Sequence, residues 1–296
     1  ICFILIFSPY WYFAFNFFKI IEHDSFQINL HESDTKKIKY FFDNNYMFDQ
    51  PLWILSKNIK KKNVYVYFIS SNFELIYLSD QDQIPYSGYK SLNWNNFIVW
   101  DSRQKEIIQK NINKKFVNFE IMDPIPNFPV LSNSAEEKNN NFSKEKKNII
   151  LFDVQPYRLG RFIYLGMPNE YYTFLNIQKF YSDIISETDR SKYKLFFKRK
   201  RETKNIDKKY IIFLENLKSE KIIEEIHHDK NIFEFFSNDI ITKVISMPFT
   251  GPTYIANHFK IKSCFYDPTG DVSNNYSWNL KTINKKNILS DFINDK

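Results

Sequence analysis

The stretch from Asp239 to Gly270 limits the possible folds more than any other part of the chain. It opens with an apolar run, Ile240-Ile-Thr-Lys-Val-Ile-Ser246, which breaks at Met247-Pro248-Phe249-Thr250-Gly251-Pro252. A helix-forming segment follows over Thr253–Phe259, then a second apolar run over Ile261–Phe265 and the turn Tyr266-Asp267-Pro268-Thr269-Gly270. β-Branched runs punctuated by Pro and Gly read as buried strands, so this is a strand–helix–strand unit of a parallel sheet. Thr250 or Gly251 can cap the helix, and Pro252 falls in the first turn, where its missing N–H costs nothing. Two readings of the turn stay open. One is a well-capped connection and nothing more. In the other, the helix start is an anion site, because its leading N–H groups and positive dipole end sit at the carboxyl edge of the sheet. The second strand brings Tyr266 and Asp267 to that same edge, where ligands of open α/β sheets bind.

The pattern repeats upstream. Asn148–Phe152, Tyr193–Phe197 and Lys221–Ile226 read as strands, and Asn176–Thr188, Lys208–Lys218 and Ile232–Asn238 as helices. That alternation predicts a doubly wound parallel sheet. A short helix over Ile288–Phe292 closes the chain. In the first half, Val64–Ser70, Phe73–Leu78, Phe97–Trp100 and Lys115–Ile121 read as strands and Arg103–Lys110 as a helix, while Glu22–Ile59 is mixed. Pro124, Pro126 and Pro129 precede a polar tract, Ser132–Lys147, that cannot bury a core. With 296 residues there is room for two ordinary domains. The expected division is 1–130, a linker over 131–147 with its hinge near Lys138, and 148–296.

Ile1–Phe18 carries no charged residue and is close to the length of a membrane span. Pro9, Asn16 and the many aromatics argue against a simple spanning helix. A buried strand and helix is the favoured reading, with peripheral membrane contact as the alternative. The chain starts with Ile rather than Met, which suggests a missing start. A secretory signal lacks its basic lead and its cleavage site. The formal charge of +7 sits in a composition rich in Lys, Asn, Ile, Phe and Tyr, a profile that AT-rich coding alone would produce, so it carries little weight. No nucleic-acid-binding module stands out. Two cysteines, Cys2 and Cys264, leave no disulfide framework, which fits a reducing cytoplasm. Dinucleotide, Walker-type and hydrolase-elbow glycine motifs are absent.

Several side chains could carry chemistry. Asp80-Gln-Asp82 after a strand is the pattern that holds a divalent cation on a nucleotide diphosphate, yet its surroundings read as a solvated loop. Arg158 and Arg161, in a Pro-interrupted loop at a strand's end, would grip phosphate or carboxylate bidentately, or serve as surface ion pairs. Lys198-Arg199-Lys200-Arg201 leaves a strand at its carboxyl end. Asp101 reads as the N-cap of the next helix, or as a carboxylate facing a ligand. His227-His228 invites a metal reading, but neighbouring side chains diverge in an extended chain and no ligand set accompanies them. Both, like His258, are expected to face solvent.

Met247-Pro-Phe-Thr-Gly-Pro-Thr253 and Phe265-Tyr-Asp-Pro-Thr-Gly270 resemble the bacterial polysaccharide-biosynthesis family named for its Pro-Phe-Thr-Ser motif. Gly88-Tyr-Lys, Trp100-Asp101, Phe152-Asp153-Val-Gln-Pro-Tyr-Arg158 and Pro168-Asn-Glu170-Tyr-Tyr-Thr173 are similar to further segments of that family. Gly251 stands where the family usually has Ser, which removes one hydroxyl donor but keeps a small residue. The resemblance implies a GT-B-like α/β fold of two Rossmann-like domains facing a central cleft, the first on the acceptor side and the second binding the donor. It implies a metal-independent glycosyltransferase of surface polysaccharide synthesis that moves a sugar from a nucleotide sugar to a glycan or glycolipid. The donor would be held by Arg158, Lys198, Lys200, Arg201, Pro248, Phe249, Thr250, Gly251, Thr253, Tyr266 and Asp267. For Asp267 a turn-forming role is the alternative. Asp101, Asp153 and Glu170 are the candidate catalytic carboxylates. No cofactor beyond the donor and no nucleic-acid partner is implied, and the expected location is the cytoplasm, including the inner membrane face. A non-catalytic nucleotide-sugar-binding protein and a metal-dependent GT-A enzyme using Asp80 and Asp82 are the alternatives.

Overall fold

The computed structural model describes residues 39–43, 63–69, 92–112, 117–124, 145–156, 171–199, 206–237, 240–273 and 280–295, with single positions at Phe18, Ile76 and Phe142. The chain forms two compact units, one of Ile1–Phe68 and Ser87–Met122, the other of Ile69–Tyr86 and Asp123–Lys296. The expected hinge near Lys138 lies outside the described residues, as do the Phe73–Leu78 strand, apart from Ile76, and the apolar lead, apart from Phe18. No helix among the described residues is long and apolar enough to cross a membrane.

The first unit holds a parallel sheet in the order β1 (Tyr40–Asp43), β2 (Val64–Tyr67), β3 (Asn96–Val99), β4 (Asn118–Ile121). All four residues of β3 are buried, as expected of a central parallel strand covered on both faces. Asn96 ties three strands together: its amide donates to the Val64 carbonyl at 2.7 Å, and its oxygen accepts from Asn118 at 3.0 Å. Helix α1 (Ser102–Asn111) follows β3 directly, and the Trp100 indole N–H donates to the Phe68 carbonyl at 2.6 Å.

In the second unit the strands are β5 (Lys147–Phe152), β6 (Tyr193–Lys198), β7 (Glu224–Ile226), β8 (Ile241–Ser246), β9 (Lys262–Tyr266) and β10 (Thr282–Ile283). They pair in parallel in the order β10-β9-β8-β5-β6-β7. The chain starts at the centre with β5, moves outward to β7, then returns to β8 on the other side of β5. The helices between them are α2 (Phe174–Glu187), α3 (Lys208–Ser219), α4 (Ile232–Phe236) and α5 (Gly251–His258), with α6 (Lys286–Asn294) last. Right-handed crossovers send the helices of the two halves to opposite faces. α2 packs with α3 and α6, while α5 packs with α4. This is the doubly wound parallel α/β fold expected from the alternation of apolar runs and helical segments.

Two local details depart from expectation. The strand expected over Lys221–Ile226 starts only at Glu224, because Lys221 takes a left-handed conformation (φ 55°) that ends α3. The Ile222 N–H then donates back to the Leu217 carbonyl at 2.9 Å, closing the helix where glycine is the usual residue. β10 was not foreseen; at two residues it has no run of its own and exists by pairing with the end of β9.

The amino edge of this sheet is locked by the chain's last turn. Leu289 and Ile293 of α6 are fully buried. Asp295, left-handed at φ 57°, accepts from Lys262 at 2.8 Å, Lys243 at 2.9 Å and Lys147 at 3.3 Å. Hydrogen bonds from Lys262 and then Lys243 hold its carboxyl well below the usual range. Lys243 is 2% exposed, and its ammonium also bonds the Ile293 carbonyl and the Tyr193 phenol.

Candidate functional site

At the carboxyl edge of the second sheet, residues from separate strands come into rank. Lys198 pairs with Ile226 in register, and Ser246 lies between Phe152 and Phe265. Strand order reverses between β5 and β8, so the loops that leave those two strands part in opposite directions. Such a divergence is where open α/β sheets bind ligands. The loop leaving β8 is Met247-Pro248-Phe249-Thr250, and the loop leaving β5 starts at Asp153.

The β8 loop has an unusual backbone. Phe249 sits at φ 61°, a left-handed conformation that a bulky residue adopts only under constraint. Its ring packs edge-on against Phe265 at 5.8 Å, and Tyr254 meets the same ring at 5.3 Å. Phe249 therefore anchors the turn in the core. Thr250 is the residue before α5, but its hydroxyl donates to the Met247 carbonyl at 3.1 Å and caps nothing. Thr253 in the first helical turn and Ser246 at the strand's end are both fully buried, and their hydroxyls have no hydrogen-bond partner among the described residues. Buried polar atoms without partners are rare and costly, on the order of 1–3 kcal/mol each. Gly251 and Pro252 keep part of their surface exposed at the helix start.

Neighbouring loops are tied to this turn by two tyrosines that sequence reasoning had not singled out. The Tyr172 phenol donates to the Pro248 carbonyl at 2.8 Å, and the Tyr171 phenol donates to Asp267 Oδ1 at 2.6 Å. Burial, then the Asp267 carboxylate, pushes the Tyr171 phenol well above its usual range and keeps it a donor. Asp267 is fully buried; its Oδ1 also accepts from the Thr269 N–H and hydroxyl, and its Oδ2 from the Val272 N–H at 2.9 Å. These bonds make Asp267 a turn former, one of its two expected roles. Tyr266 is buried as well and donates to Asp183 at 2.7 Å.

Asp153 follows β5 directly. As a residue it keeps some exposed surface, but its carboxyl is enclosed, with Oδ2 accepting from the Tyr210 phenol at 2.8 Å and the Tyr181 phenol at 2.9 Å. Burial pushes this carboxyl up to about 6 against the pull of both phenols and Arg199. Lys198 ends β6 buried, its ammonium on the His228 carbonyl at 2.6 Å. Burial lowers it to about 8, opposed by the charge of Asp229. Arg199 turns the other way, onto Glu225, which also accepts from Lys218 at 2.8 Å. Of the basic run, only Lys198 and Arg199 fall among the described residues.

The histidine pair differs from expectation. It lies in a turn, not an extended chain, so the His227 and His228 rings meet tilted by 35° at 4.3 Å instead of diverging. Asp229, which was not counted as a partner, lies 3.5 Å from His227 Nδ1 and 3.0 Å from His228 Nε2. In the first unit Asp101 is the N-cap of α1, accepting from the Gln104 N–H at 2.8 Å with Arg103 3.5 Å from its other oxygen. Asp80, Asp82, Arg158, Arg161, Glu170, Lys200 and Arg201 lie outside the described residues.

The parallel sheet, wound outward from β5 in both directions with a Pro-Phe-Thr turn at its switch point, defines the class as doubly wound α/β proteins. The chain belongs to the family of polysaccharide biosynthesis PFTS motif proteins, which it matches over residues 26–289. Comparison with curated proteins finds no match. Among solved structures, one similar chain is TarM, at 12% identity and a TM-score of 0.42, with 86% of this chain covering 47% of that one. Another is UGT71G1 of Medicago truncatula complexed with UDP-glucose, at 12% identity and TM-score 0.45, with 86% covering 62%. A third is the E. coli trehalose-6-phosphate protein bound with UDP-2-fluoro glucose, at 7% identity and TM-score 0.47, with 94% covering 69%. The chain thus spans about half of TarM and under two thirds of UGT71G1.

Proposed function

We propose that the protein is a GT-B-type glycosyltransferase that moves a sugar from a nucleotide sugar to a glycan or glycolipid acceptor during surface polysaccharide synthesis. The observation that carries this reading is the turn at the β5/β8 switch point. There the helix start receives no side-chain cap from Thr250, and two buried hydroxyls, Ser246 and Thr253, lack partners among the described residues. Departure of a nucleotide leaves negative charge on a phosphate, and fixed donors at a helix start stabilise that charge without a metal on the diphosphate. Arg158, Lys198, Lys200 and Arg201 would add cationic charge. Tyr172 and Phe249 would shape the turn, while Tyr266 and Asp267 would position it through Asp183 and Tyr171. No cofactor is needed beyond the donor, and the setting would be the cytoplasm, including the inner membrane face.

The base for the acceptor hydroxyl would be Asp101, Asp153 or Glu170. Asp101 is engaged as a helix cap and Asp153 by two phenols. That engagement favours a second reading, a nucleotide-sugar-binding protein without its own base. Thermal-shift screening against CMP, UDP, GDP and their sugars tests the donor site, since a ligand at about 100 times its dissociation constant adds roughly 2.7 kcal/mol. Thr250→Ala and Lys200→Ala are expected to weaken nucleotide binding without unfolding the chain; unchanged affinity in both removes the donor-site assignment. With a matched acceptor the transferase releases nucleotide, whereas a binding protein shows saturable donor binding and no release.

A further inference from the structure

We propose that His227, His228 and Asp229 form a binding site for one divalent transition-metal ion of the zinc type. Each residue offers one ligand atom, and the three atoms all lie within 4.8 Å of one another. A tetrahedral zinc ion with bonds of roughly 2.0–2.1 Å holds its ligands about 3.3 Å apart. The pairs His227 Nδ1–Asp229 Oδ2 and His228 Nε2–Asp229 Oδ1, at 3.5 Å and 3.0 Å, already bracket that spacing. His227 Nδ1 accepts from the Asp229 N–H at 3.4 Å, a long bond that the ion would replace. Two imidazoles and one carboxylate suit zinc, cobalt or nickel, and the missing fourth ligand is supplied by water. Calcium and magnesium prefer all-oxygen sites, so two imidazole nitrogens select against them.

The backbone of this turn is held from several sides, which keeps the three donors together. β7 ends one residue before it, at Ile226, and the Lys230 N–H closes the turn onto the His227 carbonyl at 3.1 Å. Asn231 next fixes the start of α4 by accepting from the Phe233 N–H at 3.1 Å. The Lys198 ammonium grips the His228 carbonyl. An ion here would brace the loop that carries this carbonyl, and its binding does not depend on the transferase reading.

The test is a titration of the tag-free full chain with Co2+, followed by displacement with Zn2+. One equivalent of Co2+ is expected to bind with a visible d–d absorption that Zn2+ abolishes. His227→Ala, His228→Ala and Asp229→Asn should each weaken Co2+ binding by at least about tenfold, the lower end of what loss of even an outer-shell partner costs. His258→Ala, a histidine outside the cluster, should leave it unchanged. Zn2+ should raise the melting temperature of the parent chain but not of the three variants. His227 and Asp229 are exposed, so these two variants carry the test if His228→Ala misfolds. Equal Co2+ affinity in the parent and in folded cluster variants, or no saturable binding to the parent, overturns the proposal.

Discussion

The two edges of the second sheet solve opposite problems. At the amino edge, a buried lysine, two more lysines, a phenol and a backbone carbonyl converge on the last turn of the chain, and Lys243 and Asp295 are each engaged several times over. At the carboxyl edge, two buried hydroxyls have no partner among the described residues, a phenylalanine is held left-handed, and a carboxyl and an ammonium are both pushed toward neutrality. One edge spends its polar groups on closing the fold. The other holds polar groups in reserve, the pattern by which perturbed groups mark functional sites. Stability and ligand affinity should therefore separate along the strand direction.

The largest test removes apolar packing from the amino edge. Leu289→Ala should cost about 3 kcal/mol in urea unfolding, as for a fully buried leucine, while nucleotide affinity of the folded protein stays unchanged. A tenfold loss of affinity would break the separation. Asp153 tests the other edge through pH. Its folded carboxyl lies near 6, above the unfolded value, so the native state binds the extra proton and the ionised form is destabilising at neutral pH. Stability should rise as pH falls from about 7 to 4. Asp153→Asn should flatten that slope, a difference of roughly 2–3 kcal/mol between pH 4 and pH 8 in denaturant titrations.

Lys198 gives a smaller effect on affinity. Its ammonium loses its proton near 8, so nucleotide affinity should fall as pH rises from 7 to 9, by about tenfold or 1.4 kcal/mol. Calorimetry on Lys198→Arg should show a flatter profile, because guanidinium stays charged. The smallest effect belongs to Tyr172→Phe. Loss of its bond to the Pro248 carbonyl should cost about 1 kcal/mol, appearing as weaker nucleotide binding more than as lower melting temperature.

How much of this was legible in the sequence depends on the range of the interaction. The strands β5, β6 and β8 could be read because each centres on an apolar run that tertiary structure buries. Local chemistry also placed the α1 cap at Asp101 and Pro252 in the first turn of α5. What escaped was long-range. Tyr181 and Tyr210 lie 28 and 57 positions from Asp153, and nothing in the local pattern of either helix marks them as its partners. Tyr171 reaches Asp267 across 96 positions. The segment Glu170-Tyr-Tyr-Thr173 had been noticed for its family likeness, yet its physical role as a staple between loops appears only when the strands are ordered. The divergence expected of the two histidine rings fails for a different reason. Side chains diverge only in extended backbone, and a turn of three residues after a short strand left no apolar signal to announce itself.

The left-handed phenylalanine has a consequence for recognition. Holding Phe249 at positive φ costs on the order of 1–3 kcal/mol, and the edge-on packing of its ring against Phe265 offsets that strain during folding rather than during binding. An incoming anion would then meet a loop already shaped, with little ordering entropy left to lose. Variation in what this scaffold accepts would accordingly arise in the loops around the turn, while the turn itself stays a fixed socket.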